Sequence, residues 1–455
     1  MLREEKGNSA YFENQNRSKW KQYFYSIIGA EISASTRFFD QFRQVAPLPH
    51  DTGQLFDFVQ CESKVIDSSI EAVPHHPDQP DKRIAILFNG NFNYLNDIEY
   101  DLRQLKIKLS RHSRLFLVIY NPYMRFLYRI AGWIGLRTAP FPATFMTNSD
   151  LQNLARLSGY ETVRVRPSGF FPLPVPGVAT LINQLCPLIP LIRHLALVWV
   201  IILRPVLPEK RKPSLSIIIP ARNEAGNIES AVQRIPKMAG TDIEAIFVEG
   251  GSTDETWLRI QTLADKPPNF MRILALQQKG KGKNDAVRLG LDHAKHEIVT
   301  ILDADLTMPP ELLSRFYEAY CEGLGDFING NRLLYQMEKD AMRPLNRIGN
   351  IFFAKILSWV LDLKIGDSLC GTKMFTLRDY RRIVEWRSQF GDFDPFGDFE
   401  LLFAASELAL GVQDLPIRYL ARSYGETQIH RFRDGLKLKR MTLIGFFRIR
   451  LGKTS

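Results

Sequence analysis

The sequence predicts an α/β protein of two domains, the second built on a mainly parallel sheet. Three observations predict it. Between residues 214 and 311 the chain reads LSIIIPARNE, AIFVEGGSTDET, KGKGKNDAVRLG and IVTILDADLTMPPE, and short continuous Ile/Val/Leu runs of this kind are the pattern of strands buried on both faces. Stretches of helical length separate the runs, as in βαβ units. The length of 455 residues exceeds what a single core normally serves.

Composition narrows the class. With 45% hydrophobic and 24% charged residues the chain is globular. The formal charge of +10, from 59 basic and 49 acidic residues, suits an anionic partner such as phosphate, lipid head groups or nucleic acid, without choosing among them. Cys61, Cys186, Cys321 and Cys370 show no CxxC spacing, which excludes a zinc ribbon or a disulfide framework and points to a reducing, cytoplasmic location. Residues 1–20 hold no apolar core of a secretory signal. Residues 185–207 are apolar but contain Pro187, Pro190, Arg193, His194, Arg204 and Pro205. They read as a buried helix followed by a strand over 197–203 rather than as a membrane span.

Within residues 1–204, strands are expected over 83–88, 114–120 and 161–165, with helices over 96–109 and 149–157. The proline-rich, charged run RPVLPEKRKP, residues 204–213, should enter neither a helix nor a sheet interior, which makes 205–213 a linker. Beyond it, 214–455 forms the second domain. Strands are expected there over 215–219, 243–248, 273–276, 298–302 and 326–329, with helices over 227–235, from 254, and over 283–294. Ser252 and Glu255 have the spacing of a capping box.

The chemistry-bearing residues follow the strands. In open α/β sheets, ligand-binding groups gather beyond the carboxyl ends of parallel strands. Asp303 and Asp305 flank a single alanine at such an end, and two carboxylates so placed can reach a divalent cation carrying a diphosphate. Pro220, Arg222 and Glu224 follow the first strand, and Glu249 the second. Gly280 and Gly282, among Lys279, Lys281 and Lys283, precede a helix whose backbone N–H groups suit an anion. Arg332, Arg343 and Arg347 follow the fifth strand, and guanidinium groups grip phosphate. Asp398 and Glu400 open a helix, either as a general base for a hydroxyl acceptor or as acids that orient sugar or favour a helix N-terminus. The tail, 435–453, interleaves apolar and basic residues. It reads either as a helix resting on an anionic membrane surface or as one packed on the domain.

These motifs together resemble family 2 glycosyltransferases of the GT-A, Rossmann-like fold, closest in pattern to dolichyl- or polyprenyl-phosphate sugar transferases. The resemblance rests on Pro220-Ala221-Arg222-Asn223-Glu224, Gly251-Ser252-Thr253-Asp254, Gly280-Lys281-Gly282-Lys283 and Asp303-Ala304-Asp305. Asn331-Arg332, Cys370-Gly371-Thr372-Lys373 and Arg422-Ser423-Tyr424-Gly425 extend it over most of 214–430. It implies that Asp305 ligates Mg²⁺ or Mn²⁺ while Asp303 assists or contacts the ribose, with Thr307 a further oxygen donor. Glu224 and Glu249 would meet the base or ribose, and Asp254, Lys281, Lys283, Arg332, Arg347 and Arg422 the substrates. An inverting transfer from a UDP- or GDP-linked sugar to a polyprenyl phosphate, or to a glycan or lipid hydroxyl, is the implied reaction, in the setting of cell-envelope glycan biosynthesis at the cytoplasmic membrane face. Three positions depart from the family: Glu249 and Gly250 stand where two aspartates are usual, and Gln428 replaces a lysine.

The first domain resembles the later half of a class I methyltransferase, reduced in size. The glycine-rich cofactor turn is missing, since residues 50–80 offer only Gly53, so methyl transfer is not expected of it. Among rivals for the whole chain, a sugar nucleotidylyltransferase would need a glycine-rich basic loop where PARNE stands. A nucleic-acid or scaffold protein leaves the paired acids unexplained, and no nucleic-acid partner is expected. A non-catalytic nucleotide-sugar-binding relative is the alternative that the missing second acid at position 250 favours.

Overall fold

The computed structural model describes residues 18–76, 82–238, 240–338, 341–422, 424 and 431–452. The chain divides into two compact units, Met1–Leu207 and Pro208–Ser455. Each is α/β with a mixed, mostly parallel sheet.

The first unit runs α1 (Lys19–Thr36), β1 (Gln41–Val45), α2 (Gln54–Phe58), β2 (Lys64–Asp67), β3 (Ile84–Asn89), α3 (Ile98–Lys108), β4 (Arg114–Tyr120), α4 (Arg125–Trp133), α5 (Asn148–Leu157), β5 (Tyr160–Ser168), α6 (Val178–Leu185) and β6 (Val198–Pro205). Its sheet order is β2-β1-β3-β4-β6-β5, and β6 alone runs antiparallel to its neighbours. The chain leaves β1 toward β2 on one side and returns to β3 on the other. At this crevice Asp51 accepts hydrogen bonds from Gln44, Asn89 and the Gly53 N–H.

Two expectations fail in this unit. Arg204 and Pro205 belong to β6, an interior strand, rather than to a linker. Pro205 is tolerated because it is the strand's last residue, and Arg204 because its buried guanidinium meets the Glu161 carboxylate at 2.5 Å. The buried helix expected over 185–196 is instead the end of α6 followed by 3₁₀ turns (Cys186–Leu188 and Ile192–Leu195) that bury no residue. Pro187 and Pro190 break the helix. No helix among the described residues is long and apolar enough to cross a membrane.

The second unit runs β7 (Leu215–Ala221), α7 (Ile228–Arg234), β8 (Ile243–Glu249), α8 (Thr256–Asp265), β9 (Arg272–Gln277), α9 (Lys283–His293), β10 (Ile298–Ile301), α10 (Leu313–Cys321), β11 (Phe327–Asn331), α11 (Pro344–Leu361), β12 (Lys373–Thr376), α12 (Leu377–Phe390), α13 (Asp398–Glu407), β13 (Val412–Pro416) and α14 (Arg431–Gly445). The sheet order is β13-β11-β12-β10-β7-β8-β9. β7, β8, β9 and β10 pair in parallel, whereas β12 runs antiparallel between β10 and β11. Ile217, Ile218 and Ile219 of β7 are fully buried, each side chain worth about 1.5–3 kcal/mol of transfer free energy. The parallel strands therefore deliver their carboxyl-terminal loops to one edge of a rigid core. The tail helix packs on α11, with Trp359 and Phe446 stacked and Arg450 paired to Asp362.

Helix α9 lies against β7 through Gly290, where an added Cβ would fall 2.4 Å from Ile218 Cγ2 and 3.2 Å from Val248 Cγ2. Gly290→Val is expected to cost about 1–3 kcal/mol through overpacking, read as a lowered urea midpoint with unchanged slope. An unchanged midpoint would show that helix and strand are not in this contact.

Candidate active site

The loops after β7, β8 and β10 are stitched together by side chains. Asn223 sits at φ +55°. Its N–H donates to Ser252 Oγ at 3.0 Å, and its Oδ1 accepts the Thr253 N–H at 2.8 Å. Asp254 accepts from the Thr256 hydroxyl and from the Thr256 and Ala225 N–H groups, and these hydrogen bonds, the hydroxyl first, outweigh burial and hold its carboxyl below the usual range. The expected Ser252–Glu255 capping box does not form. Glu255 is the N-cap residue of α8 but its side chain caps no N–H and pairs with Arg259 instead, while Ser252 is turned to the β7 loop and Asp254 supplies the acceptor. Glu249 is buried and accepts from the Ser252 N–H and from Gln277. Arg222 and Lys281 are exposed, while Pro220 is half-buried.

Asp303 and Asp305 lie just past β10. The Lys283 ammonium meets Asp303 Oδ1 at 2.5 Å. Burial alone would raise the Asp303 carboxyl, but Lys283, Arg332 and Lys373 overcome it and hold the group below the usual carboxylate range. For Lys283 burial is likewise outweighed, by Asp303, Asp398 and Asp305, and its ammonium is held charged. Gly371 makes room for this pair, since a Cβ there would fall 2.4 Å from both Asp303 Oδ2 and Lys283 Nζ. Asp305 Oδ1 accepts from the Thr307 N–H and hydroxyl at 3.1 and 2.9 Å. Its Oδ2 meets Arg422 at 2.6 Å, and Arg422 also reaches Glu224 at 3.5 Å.

The structure thus brings Glu224, Lys283, Asp303, Asp305, Thr307 and Arg422 together, and joins Asp398 to them through lysines. Asp398 pairs at 2.6 Å with the fully buried Lys373. Lys373 belongs to the Cys370-Gly371-Thr372-Lys373 motif quoted above, but nothing in the sequence signals its pairing with Asp398, 25 residues further along.

Other expected residues are turned to different partners. Glu400, two residues along α13, is held by Arg288 and Arg387 and is buried among them, so its described contacts lie outside the cluster. Arg332 forms a bidentate pair with Asp367 at 2.6 and 2.9 Å and lies over the Tyr419 ring, which leaves it a field effect on Asp303. Arg343 and Arg347 are exposed at the start of α11. Gly425 and Gln428 fall outside the described residues.

The donor set fits a hard divalent cation completed by substrate. Among the described residues no cluster of three His, Cys, Asp or Glu side chains is placed to hold a metal alone. Magnesium-type sites commonly use one or two carboxylates and take their remaining oxygens from phosphate and water. Asp303 and Asp305, with the Thr307 hydroxyl beside them, supply that number.

Burial pushes the Glu224 carboxyl up from 4.5 to about 7. Asp305 and Asp254 act the same way, while Asn227 and Arg422 oppose them. Between those two pH values the folded chain holds a proton that the unfolded chain has lost, so stability falls as pH rises through this window. Melting temperatures measured from pH 4 to 8 should show Glu224→Gln gaining on the wild type across it. A constant difference would mean that Glu224 titrates normally.

Comparison with known proteins follows this geometry. Residues 216–383 match the family model "Glycosyl transferase family 2". The chain is 26% identical over 220 residues to an undecaprenyl-phosphate 4-deoxy-4-formamido-L-arabinose transferase of Enterobacter sp. (strain 638), covering 47% of this chain and 62% of that protein. It is 25% identical over 224 residues to a dolichyl-phosphate hexose transferase of Haloferax volcanii, covering 49% and 89%. A dolichol-phosphate mannosyltransferase of Pyrococcus furiosus is 34% identical over 119 residues, 26% of this chain and 33% of that protein. Among solved structures, a Pyrobaculum calidifontis mannosyltransferase in complex with GDP-Man and Mn²⁺ aligns at TM-score 0.36 and 18% identity over 53% of this chain and 72% of its own. Glucosyl-3-phosphoglycerate synthase of Mycobacterium tuberculosis with Mn²⁺, UDP-glucose and phosphoglyceric acid aligns at 0.37 and 18%, over 53% and 81%. None of these comparisons identifies the first unit. Residues 216–383 are a domain of glycosyltransferase family 2, a family of enzymes.

Proposed function

We propose that the second unit transfers a sugar from a nucleoside-diphosphate donor, UDP- or GDP-linked, to a polyprenyl phosphate, with a glycan or lipid hydroxyl as the other acceptor class. The observation that carries this reading is the Asp303–Asp305 pair at the end of β10, braced by Lys283 and Arg422 within a family 2 domain. The names of the curated relatives favour the lipid phosphate. A bound Mg²⁺ or Mn²⁺ would neutralise the diphosphate as the anomeric bond breaks.

The protein's own groups serve that displacement as follows. Asp303 and Asp305 would hold the cation, and the Thr307 hydroxyl, donating to Asp305 Oδ1, holds that carboxylate in place. Lys283 sets Asp303 and places a positive charge beside the leaving group. Arg422 pairs with Asp305 and Glu224, which puts a guanidinium, a phosphate-gripping group, beside the carboxylates that would hold the cation. Asp398, paired with Lys373, would serve as general base for a hydroxyl acceptor, whereas an ionised phosphate needs none. The family implies inversion. One observation favours a non-catalytic, nucleotide-sugar-binding relative: Glu249 is already satisfied within its turn and Gly250 adds no second acid.

Calorimetry with UDP and GDP, with and without Mn²⁺, separates the outcomes. One nucleotide should bind in a metal-dependent manner, and Asp305→Ala should weaken it at least about tenfold, the loss of one charged ligand. A folded wild type that binds neither nucleotide overturns the proposal. Binding without sugar release from the matching donor, whether polyprenyl phosphate or hydroxyl acceptor is supplied, selects the non-catalytic reading.

A further inference from the structure

The first unit carries an apolar, cationic face that nothing in its own core explains. Helix α4 is held to the sheet mainly by Tyr128, its one buried residue, whose hydroxyl donates to the Leu197 carbonyl. Asn121, just before the helix, donates to the carbonyls of His194 and Ala196 at 2.7 and 2.6 Å, and the Tyr123 and His194 rings meet edge to face. These contacts set α4 beside the 3₁₀ turn Ile192–Leu195, which follows α6, as one surface.

The residues turned outward are the large apolar ones. Phe126, Ile130 and Trp133 follow one another at i, i+4 and i+7, and Trp133 is 88% exposed. From the neighbouring segment Leu181, Leu185 and Leu191 are also exposed, the last at 84%. So many large apolar side chains left exposed on neighbouring segments mark an interaction surface.

Charge identifies what covers it. The chain has 49 acidic residues, yet residues 121–149 and 169–196 contain none. The same stretches hold Arg125, Arg129, Arg137 and Arg193. Arg125 and Arg129 are exposed, with their guanidinium groups over the Phe141 ring at 5.7 and 5.4 Å. Exposed large apolar side chains beside exposed arginines suit a bilayer interface, where rings sit at head-group level and guanidinium groups reach lipid phosphates.

A twofold contact with a second copy would bring Arg125 and Arg129 together with no carboxylate in either segment to pair them. A nine-residue helix rises only about 13 Å, so it lies in the interface rather than crossing it. We infer that the face formed by α4 and residues 173–195 docks the first unit onto an anionic lipid surface. This docking requires neither sugar donor nor acceptor, and it stands apart from the transferase reading.

The test is flotation of the full chain with phosphatidylcholine vesicles and with vesicles containing roughly 30 mol % phosphatidylglycerol. The wild type should float with the anionic vesicles, less so in high salt. The double variants Phe126→Ser/Trp133→Ser and Arg125→Glu/Arg129→Glu should each lower the partition coefficient about tenfold or more, with unchanged circular dichroism and melting temperature. Three results overturn the inference: no flotation of the wild type, flotation that both folded variants retain, or a dimer in light scattering that the serine variant dissolves without any vesicle binding. Because a double substitution can unfold so short a helix, the single variant Trp133→Ser is the control. Trp133 is 88% exposed, so its substitution should lower binding severalfold with no change in stability.

Discussion

The second unit depends on keeping the Asp303 carboxylate ionised just past the end of an apolar strand. β10 is buried along its whole length, so whatever follows it emerges beside the core rather than in open water. An unpaired charge left there costs several kcal/mol. The fold answers with cations from three directions: Lys283 from the first turn of α9, Lys373 from the antiparallel strand β12, and Arg422 from beyond β13. The insertion of β12 between β10 and β11 is therefore an electrostatic as well as a topological feature. It brings in both the Lys373 ammonium and the side-chain-free Gly371 against which Asp303 and Lys283 close.

A second tier fixes the first. Arg332 is paired with Asp367, and its guanidinium still stands near enough to lower the Asp303 carboxyl. Asp394 caps α13 through the N–H groups of Phe399 and Glu400. Burial nevertheless keeps its carboxyl raised, to about 6. Arg288 and Arg387 close on Glu400 at the same helix. Two acids two residues apart thus end in different surroundings, Asp398 facing Lys373 and Glu400 facing the arginines. A helix turns about 100° per residue, which separates them by more than half a turn.

The sequence made the site legible where a local rule was enough. An apolar run ending in Asp303-Ala304-Asp305 places both acids at a strand terminus whatever the rest of the chain does, and a glycine ahead of Lys283 marks the start of α9. Partner choice was not legible, because it is set by pairs distant along the chain: Arg332 with Asp367, Lys373 with Asp398, Arg422 with Asp305. In the first unit, β1 and β2 are short and laced with Gln41, Arg43, Gln44 and Lys64, so they lack the continuous apolar pattern by which the later strands were found. The exposed faces of α4 and residues 185–195 were hidden for the opposite reason. Apolar content implies burial in a globular chain, and only the structure shows that these side chains are left outside.

The departure at positions 249 and 250 is a change of charge rather than of shape. Gly251 has φ +71°, a conformation that favours glycine, but Gly250 does not. A Cβ on Gly250 would stand 3.4 Å from Arg222 Cβ and Gln278 Nε2, in ordinary contact. The backbone would accept an aspartate there, so the fold does not require its absence. Glu249, meanwhile, is drawn into the turn by the Ser252 N–H and Gln277. The β7 and β8 loops are consequently closed by hydrogen bonds they satisfy among themselves, and the exposed Arg222 has no carboxylate from position 250 beside it. Where the family usually sets paired acids, this chain leaves the field of a guanidinium, which favours an anionic ligand on that side of the sheet edge.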